Sequence, residues 1–275
     1  GEWAGGLVQV NTRDIPSANF FNFQIGSGFN TQTIGKDFLK YKGGKTDWLG
    51  IDDGSRALPS SMPTKSEFAE MTSVQQAAIG KDFKNIWTTE KGHLPLNASF
   101  QMSGGFTSKF LGKKIGGILA LNYNQNNRRT DYTNSFISNV QGDIDFVFNN
   151  KKYNKEVVLG ALANFAIQLN SNNKISFKNI INVNTNNYVI ERAGKDYILG
   201  GSQGQNISAF ELGFKQNIFF NTQLLGEHNI TGLGGLKFKW YGSFNILDQY
   251  IPDQRRMEYI QDGTHAGSPY IALIS

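Results

Sequence analysis

The stretch Ile207–Ile246 alternates apolar and polar residues with a period of two along both arms of one hairpin. Phe210, Leu212 and Phe214 interleave with Glu211, Gly213 and Lys215. After a turn predicted at Thr222–His228, Leu236, Phe238, Trp240, Phe244 and Ile246 interleave with Lys237, Lys239, Tyr241, Ser243 and Asn245. Successive side chains of a strand point to opposite faces, so each arm has one apolar and one polar face. A half-buried strand of a soluble protein alternates in the same way, and length separates the two cases. The second arm keeps its pattern well beyond the roughly five or six residues of an ordinary strand, and a strand crossing a bilayer needs about nine to eleven. The expectation is an all-β fold: an antiparallel transmembrane β-barrel, apolar face to lipid and polar face to the lumen. Glu211, Lys215, Lys237 and Lys239 are then lumen-facing, because a lysine at the bilayer midplane costs roughly 2–4 kcal/mol.

Composition agrees without deciding. The chain is 39% hydrophobic and 18% charged, and it has 21 Phe among 275 residues. No run approaches the ~20 apolar residues of a transmembrane helix, but only alternate residues of a barrel strand meet lipid, so low hydropathy does not exclude one. The absence of Cys excludes disulfides, thiolate metal sites and cysteine nucleophiles. A net charge of +5 with scattered Lys and Arg gives no nucleic-acid footprint. Gly1–Val10 is too short for a signal peptide and has no basic start, so the sequence reads as starting inside a mature protein or a larger precursor.

Taken in order, Gly5–Asn11 reads as a short strand, and Thr12–Pro16 as a turn. Asn19–Asn30 is the first long strand. Residues 31–93 form a long insertion without strand character. Within it Lys42–Lys45 and Asp52–Ser55 are turns, and Thr64 and Glu67 have capping-box spacing ahead of two short helices. Strands resume after Leu96, at Ile115–Asn126, Val157–Leu169 and Lys174–Tyr188, with short turns at Leu111–Lys114 and Asn170–Asn173. Arg128–Glu156 (with a hairpin of its own around Ile144–Phe148), Glu191–Asn206 and Asp248–Ser268 are expected to be long loops. Long and short connections thus alternate, as in outer-membrane barrels with short periplasmic turns and long extracellular loops. Seven long strands result. Bacterial single-chain barrels have an even number and no open edge in lipid, so the chain reads as a segment of a larger barrel.

Three phrases carry a family resemblance. Gly5–Pro16 (GGLVQVNTRDIP) resembles the junction where the plug of a TonB-dependent receptor meets its first barrel strand. Lys36–Pro59 (KDFLKYKGGKTDWLGIDDGSRALP) is similar to the first extracellular loop of such receptors of the Bacteroidetes type, the SusC-like group. Leu159–Asn179 (LGALANFAIQLNSNNKISFKN) is similar to their strand–turn–strand units. The resemblance implies a plugged barrel of about twenty-two strands: residues 1–16 end the plug and link it to the wall, and residues 17–275 are the N-terminal part of the barrel. It implies an outer-membrane location, TonB as partner through the plug, and import of a bulky nutrient (glycan, peptide or metal chelate) into the periplasm. A barrel recruited as a structural subunit of an assembly or secretion complex, a passive porin and a soluble all-β binding module are the alternatives.

Asp47, Trp48, Asp52, Asp53 and Arg56 cluster in the insertion. They are candidate contacts for a ligand or a surface lipoprotein lid, or else they knit the loop together through ion pairs and Asx turns. Glu211, Lys215, Lys237 and Lys239 either touch the plug or substrate or simply line the lumen. His93, His228 and His265 lack ligand spacing, and Asp143 with Asp145 is too small a group to predict a metal site. No G-x-S-x-G elbow or phosphate-loop context occurs, so neither enzyme chemistry nor a cofactor is expected.

Overall fold

The computed structural model describes residues 14–31, 33–84, 86–138, 142–200, 203–261 and 267–273. The predicted strand Gly5–Asn11 and most of the junction at 1–16 lie outside these residues. One antiparallel sheet dominates. Its strands are β1 (Phe20–Gly28), β4 (Asn97–Phe110), β5 (Lys113–Ile137), β6 (Ile144–Asn170), β7 (Asn173–Asp196), β8 (Gln205–Ile230), β9 (Leu236–Gln261) and β10 (Ile271–Leu273), in that spatial order. The insertion between β1 and β4 holds the hairpin β2 (Asp37–Tyr41) and β3 (Thr89–His93), with helices α1 (Lys65–Glu70) and α2 (Ser73–Gly80). A third short helix, α3, spans Tyr197–Gly200. Among the described residues the sheet is open: β1 and β10 are its two ends. The fold is therefore all-β and antiparallel, with few helices.

The seven expected long strands are present, but β5 to β9 run for 24–27 residues, far past the expected ends. The predicted loop Arg128–Glu156 is mostly ladder, with Thr133 opposite Asn149 and Ile137 opposite Ile144. Glu191–Asn206 shrinks to the connection after Asp196, and Asp248–Ser268 is strand as far as Gln261. The strict alternation of long and short connections fails accordingly: of the connections between described strands, only the insertion is long. Even that segment is not free of strands, since β2 pairs with β3. Many Asn and Lys residues hid these extensions, which backbone pairing holds together with buried aromatics such as Phe148 and Tyr153.

Two of the three short turns match expectation: β4 reverses at Leu111–Gly112, both with positive φ, and β6 pairs into β7 through Asn170 opposite Asn173. The third does not. Thr222–His228 is continuous strand, and the hairpin reverses at Thr231–Gly235, where Gly234 and Gly235 take positive φ. Gly226 marks close packing here, not a turn: Trp240 lies directly opposite, and a Cβ at 226 would run into its indole.

Register defines the two faces. One row crosses seven strands through Phe23, Met102, Leu121, Ala161, Ile181, Phe220 and Ile246. With its neighbours it forms an apolar belt that is largely exposed: Phe21 is 68% and Ile25 71% accessible. The next row, on the other face, passes through Gln24, Gln101, Asn122 and Asn182. On β9 the pattern changes hands once. Phe214 pairs with Asp253 and Gln216 with Tyr250, so β9 carries an extra residue around Ile251–Pro252. Proline has no ladder N–H to lose at a bulge. This bulge ends the period-two pattern that the sequence shows up to Ile246.

Gly226→Val should push Trp240 off its strand and lower stability by about 1–3 kcal/mol, the usual range for overpacking. Denaturant titration followed by tryptophan fluorescence measures it.

Candidate functional site

The insertion sits on the same face as the apolar belt, immediately beyond it. Phe38, Tyr41 and Leu94 from the insertion form a buried cluster with Tyr153, Val189 and Leu212 of β6, β7 and β8. Below this cluster, residues 46–52 run across the strands as a strap. The Trp48 carbonyl accepts from the Tyr123 hydroxyl (2.7 Å), the Gly50 carbonyl accepts from Thr185 Oγ1, and the Asp52 N–H donates to Gln216 Oε1 (2.9 Å). Gly50 has φ 74° and lies against Val157 and Thr185, where a Cβ would crowd both side chains. Tyr123, Val157, Thr185 and Gln216 are the residues directly above the belt on four adjacent strands.

Arg56 locks the strap. Its guanidinium is buried, donates to Asp47 through both terminal nitrogens (Nη1 at 2.7 Å) and to Asp52 (3.1 Å), and stacks over the Phe214 ring at 4.0 Å. Burial opposes its charge, but its hydrogen bonds to Asp47 and the field of the neighbouring groups outweigh this and raise its pKa. Tyr41 lies on the other side of the guanidinium, and burial pushes its hydroxyl up to about 12. Asp53 turns the other way and accepts from Lys45 N–H (2.8 Å) and Ser55 N–H (3.0 Å); hydrogen bonds from Ser55 and Lys45 lower it to about 2. Of the five candidate residues, Asp47, Asp52 and Arg56 thus form one ion cluster, Asp53 makes an Asx turn, and Trp48 is left exposed at the upper border of the belt. The capping box at Thr64 and Glu67 starts α1, and a second, at Thr72 and Gln75, starts α2.

A cavity of about 500 Å³ lies between the β2–β3 hairpin and β5–β7, bounded below by Asp47. A second, of about 830 Å³, lies where Trp87 and Lys84 of the insertion meet the bulged part of β9. There Arg255 lies over the Trp87 ring at 5.7 Å and donates to Lys84 O (2.7 Å) and Asp253 (2.7 Å).

Glu211, Lys215, Lys237 and Lys239 share the opposite, polar face. Glu211 accepts from Tyr188 (2.8 Å) and Gln254 (3.0 Å). Lys239 pairs with Glu227 (2.9 Å), which pairs with Lys174 (2.8 Å), and Lys174 pairs with Asp14 (2.8 Å). Asp14 also binds Lys178 (2.7 Å) and Ser176 (3.0 Å), and Ile15 passes against Gly116 of β5. The segment before β1 therefore crosses the polar face close to the short turns. Sequence reading missed this chain of charges, since only the register makes residues 14, 174, 227 and 239 neighbours.

Among the described residues no three His, Asp or Glu side chains are grouped to hold a metal ion. Comparison with known protein families, with curated proteins and with solved structures finds no match.

Two outcomes follow. Arg56→Ala leaves Asp47 and Asp52 buried without their cation, at a cost of about 3–5 kcal/mol; limited proteolysis should cut residues 31–93 while β4–β9 stay intact. Burial raises the Asp14 carboxyl, but hydrogen bonds from Lys174, Lys178 and Ser176 prevail and hold it below its ordinary value. Its contribution is then complete above the ordinary aspartate pKa of about 3.9 and disappears as pH falls through the lowered value. A spin label at Ser17 should become mobile only in that acid range.

Proposed function

We propose that these residues form part of the wall of a plugged outer-membrane barrel of the TonB-dependent type, which imports a bulky nutrient into the periplasm. The supporting observation is the two-sided sheet, with an exposed apolar belt on one face and a polar face crossed by the Asp14 segment. The belt fills the space between the short turns and the strap: Ile115–Leu121 on β5, Leu159–Ile167 on β6, Ile175–Val183 on β7 and Ile218–Leu224 on β8. With one flanking residue at each end these stretches suit a crossing of about nine to eleven residues. Strands of 24–27 residues reach about 80–90 Å, so their upper parts project beyond the bilayer.

In this orientation the turns at Leu111–Gly112, Asn170–Asn173 and Thr231–Gly235 are periplasmic and the insertion is extracellular. Trp48 meets the outer interface, where indoles are favoured. Glu211, Lys215, Lys237 and Lys239 line the lumen, and Asp14 seats the chain that arrives from the plug, the part through which TonB would act. Further strands would pair with β1 and continue the sheet beyond β10, because an unpaired edge is not viable in lipid. The insertion stands on the outer flank of the wall, so Asp47, Asp52 and Arg56 serve to fix it there, and nutrient recognition falls to the polar face and to the rest of the barrel.

That outer flank also favours a second reading. A surface beside the pore, carrying exposed Leu58, Val74 and Phe83, suits a lipoprotein lid or a neighbouring subunit of an outer-membrane assembly complex.

Because the chain has no Cys, single cysteines report topology directly. Val74→Cys should react with an impermeant maleimide on intact cells, and Ser171→Cys only after the outer membrane is opened. Equal labelling of both would exclude this orientation. Loss of nutrient uptake on deletion supports the transporter; intact uptake with stable co-purification of assembly components supports the scaffold.

A further inference from the structure

The cavity between the β2–β3 hairpin and the sheet has an unbalanced charge. Its two carboxylates are already committed: Asp47 to Arg56 and Asn187, and Glu90 to Lys40. Lys155, half-buried on β6, and Lys42 on the rim form no ion pair or hydrogen bond among the described residues, and His93 adds a third basic group. Burial lowers the Lys155 pKa, and Asp47 offsets this only in part. A half-buried ammonium without a partner is costly, and a bound anion relieves that cost. Lys155 stands one residue pair above Val157, which touches the strap, so the cavity opens just beyond the apolar belt.

We propose that this cavity binds a phosphate group, held by Lys155 from the floor and Lys42 from the rim. Its height above the belt matches the headgroup layer of an outer leaflet, if the membrane orientation given above holds; a soluble phosphate ester carries the same chemistry. The phosphate site itself does not depend on that orientation.

The test uses the full-length protein purified in detergent, titrated with inorganic phosphate by calorimetry. Lys155→Met should weaken binding about tenfold and Lys42→Ala about threefold, as expected for losing a charge-assisted contact. Lys109→Ala, at the far end of the sheet, should leave it unchanged. Lys155→Met removes an unpaired buried charge, so it should fold at least as well as the parent. Native mass spectrometry with a lipid phosphomonoester and with phosphatidylcholine then separates the sources. Retention of the phosphomonoester lipid alone, lost in Lys155→Met, assigns the site to a lipid headgroup. Binding of inorganic phosphate without either lipid assigns it to a soluble ester. No phosphate binding by the folded parent, or equal binding in both lysine variants, overturns the proposal. Heat-modifiable gel migration of the same sample reports on the barrel separately, so failure of one reading is not mistaken for failure of the other.

Discussion

The uninterrupted antiparallel ladder from β4 to β8 governs the rest of this structure. Side chains alternate with a period of two, so a slip of one residue would exchange the faces of an entire strand. Across the belt the register holds without a bulge; irregularities fall at Phe136–Ile137, at Gln168–Asn170 and beside Pro252. That continuity collects Phe, Ile and Leu from seven strands on one side and Asn, Gln, Lys and Glu on the other. It also brings Tyr123, Val157, Thr185 and Gln216 into the line along which the strap lies.

The strap and the belt limit one another. Above the strap, outward positions such as Val189, Leu212 and Phe214 are buried because the insertion covers them. Below it, residues of similar character on the same face stay bare. The Arg56 cluster holds this boundary. One guanidinium pairs with two carboxylates and stacks against two aromatic rings, which lets a polar loop rest on an apolar surface without leaving its charges unpaired.

Much of the belt was legible in the sequence, because alternation of large apolar residues has few explanations over such lengths. The turns at Leu111–Gly112 and Asn170–Asn173 and the Thr64 capping box were legible for a similar reason: local chemistry decides them. The upper halves of β5, β6 and β7 were not. Arg128, Asp131 and Asn149 carry no burial signal, and their strand state follows from pairing with partners distant in sequence. The turn expected at Thr222–His228 is strand, in which Gly226 makes room for an indole, and the reversal falls at Gly234 and Gly235. The individual residues of the insertion cluster stood out, yet which carboxylate met the arginine depended on folded geometry. Asp14 offered no sequence signal at all.

Asp14 has a mechanical consequence. Its carboxylate grips Lys174, Ser176 and Lys178 on β7, not the adjoining β1. Tension arriving along the chain from before Asp14 is therefore delivered to the middle of the sheet, where each strand has two neighbours, and the short ladder between β1 and β4 is spared. Were that segment pulled, the ion pairs would act as a strain relief and leave β1 anchored.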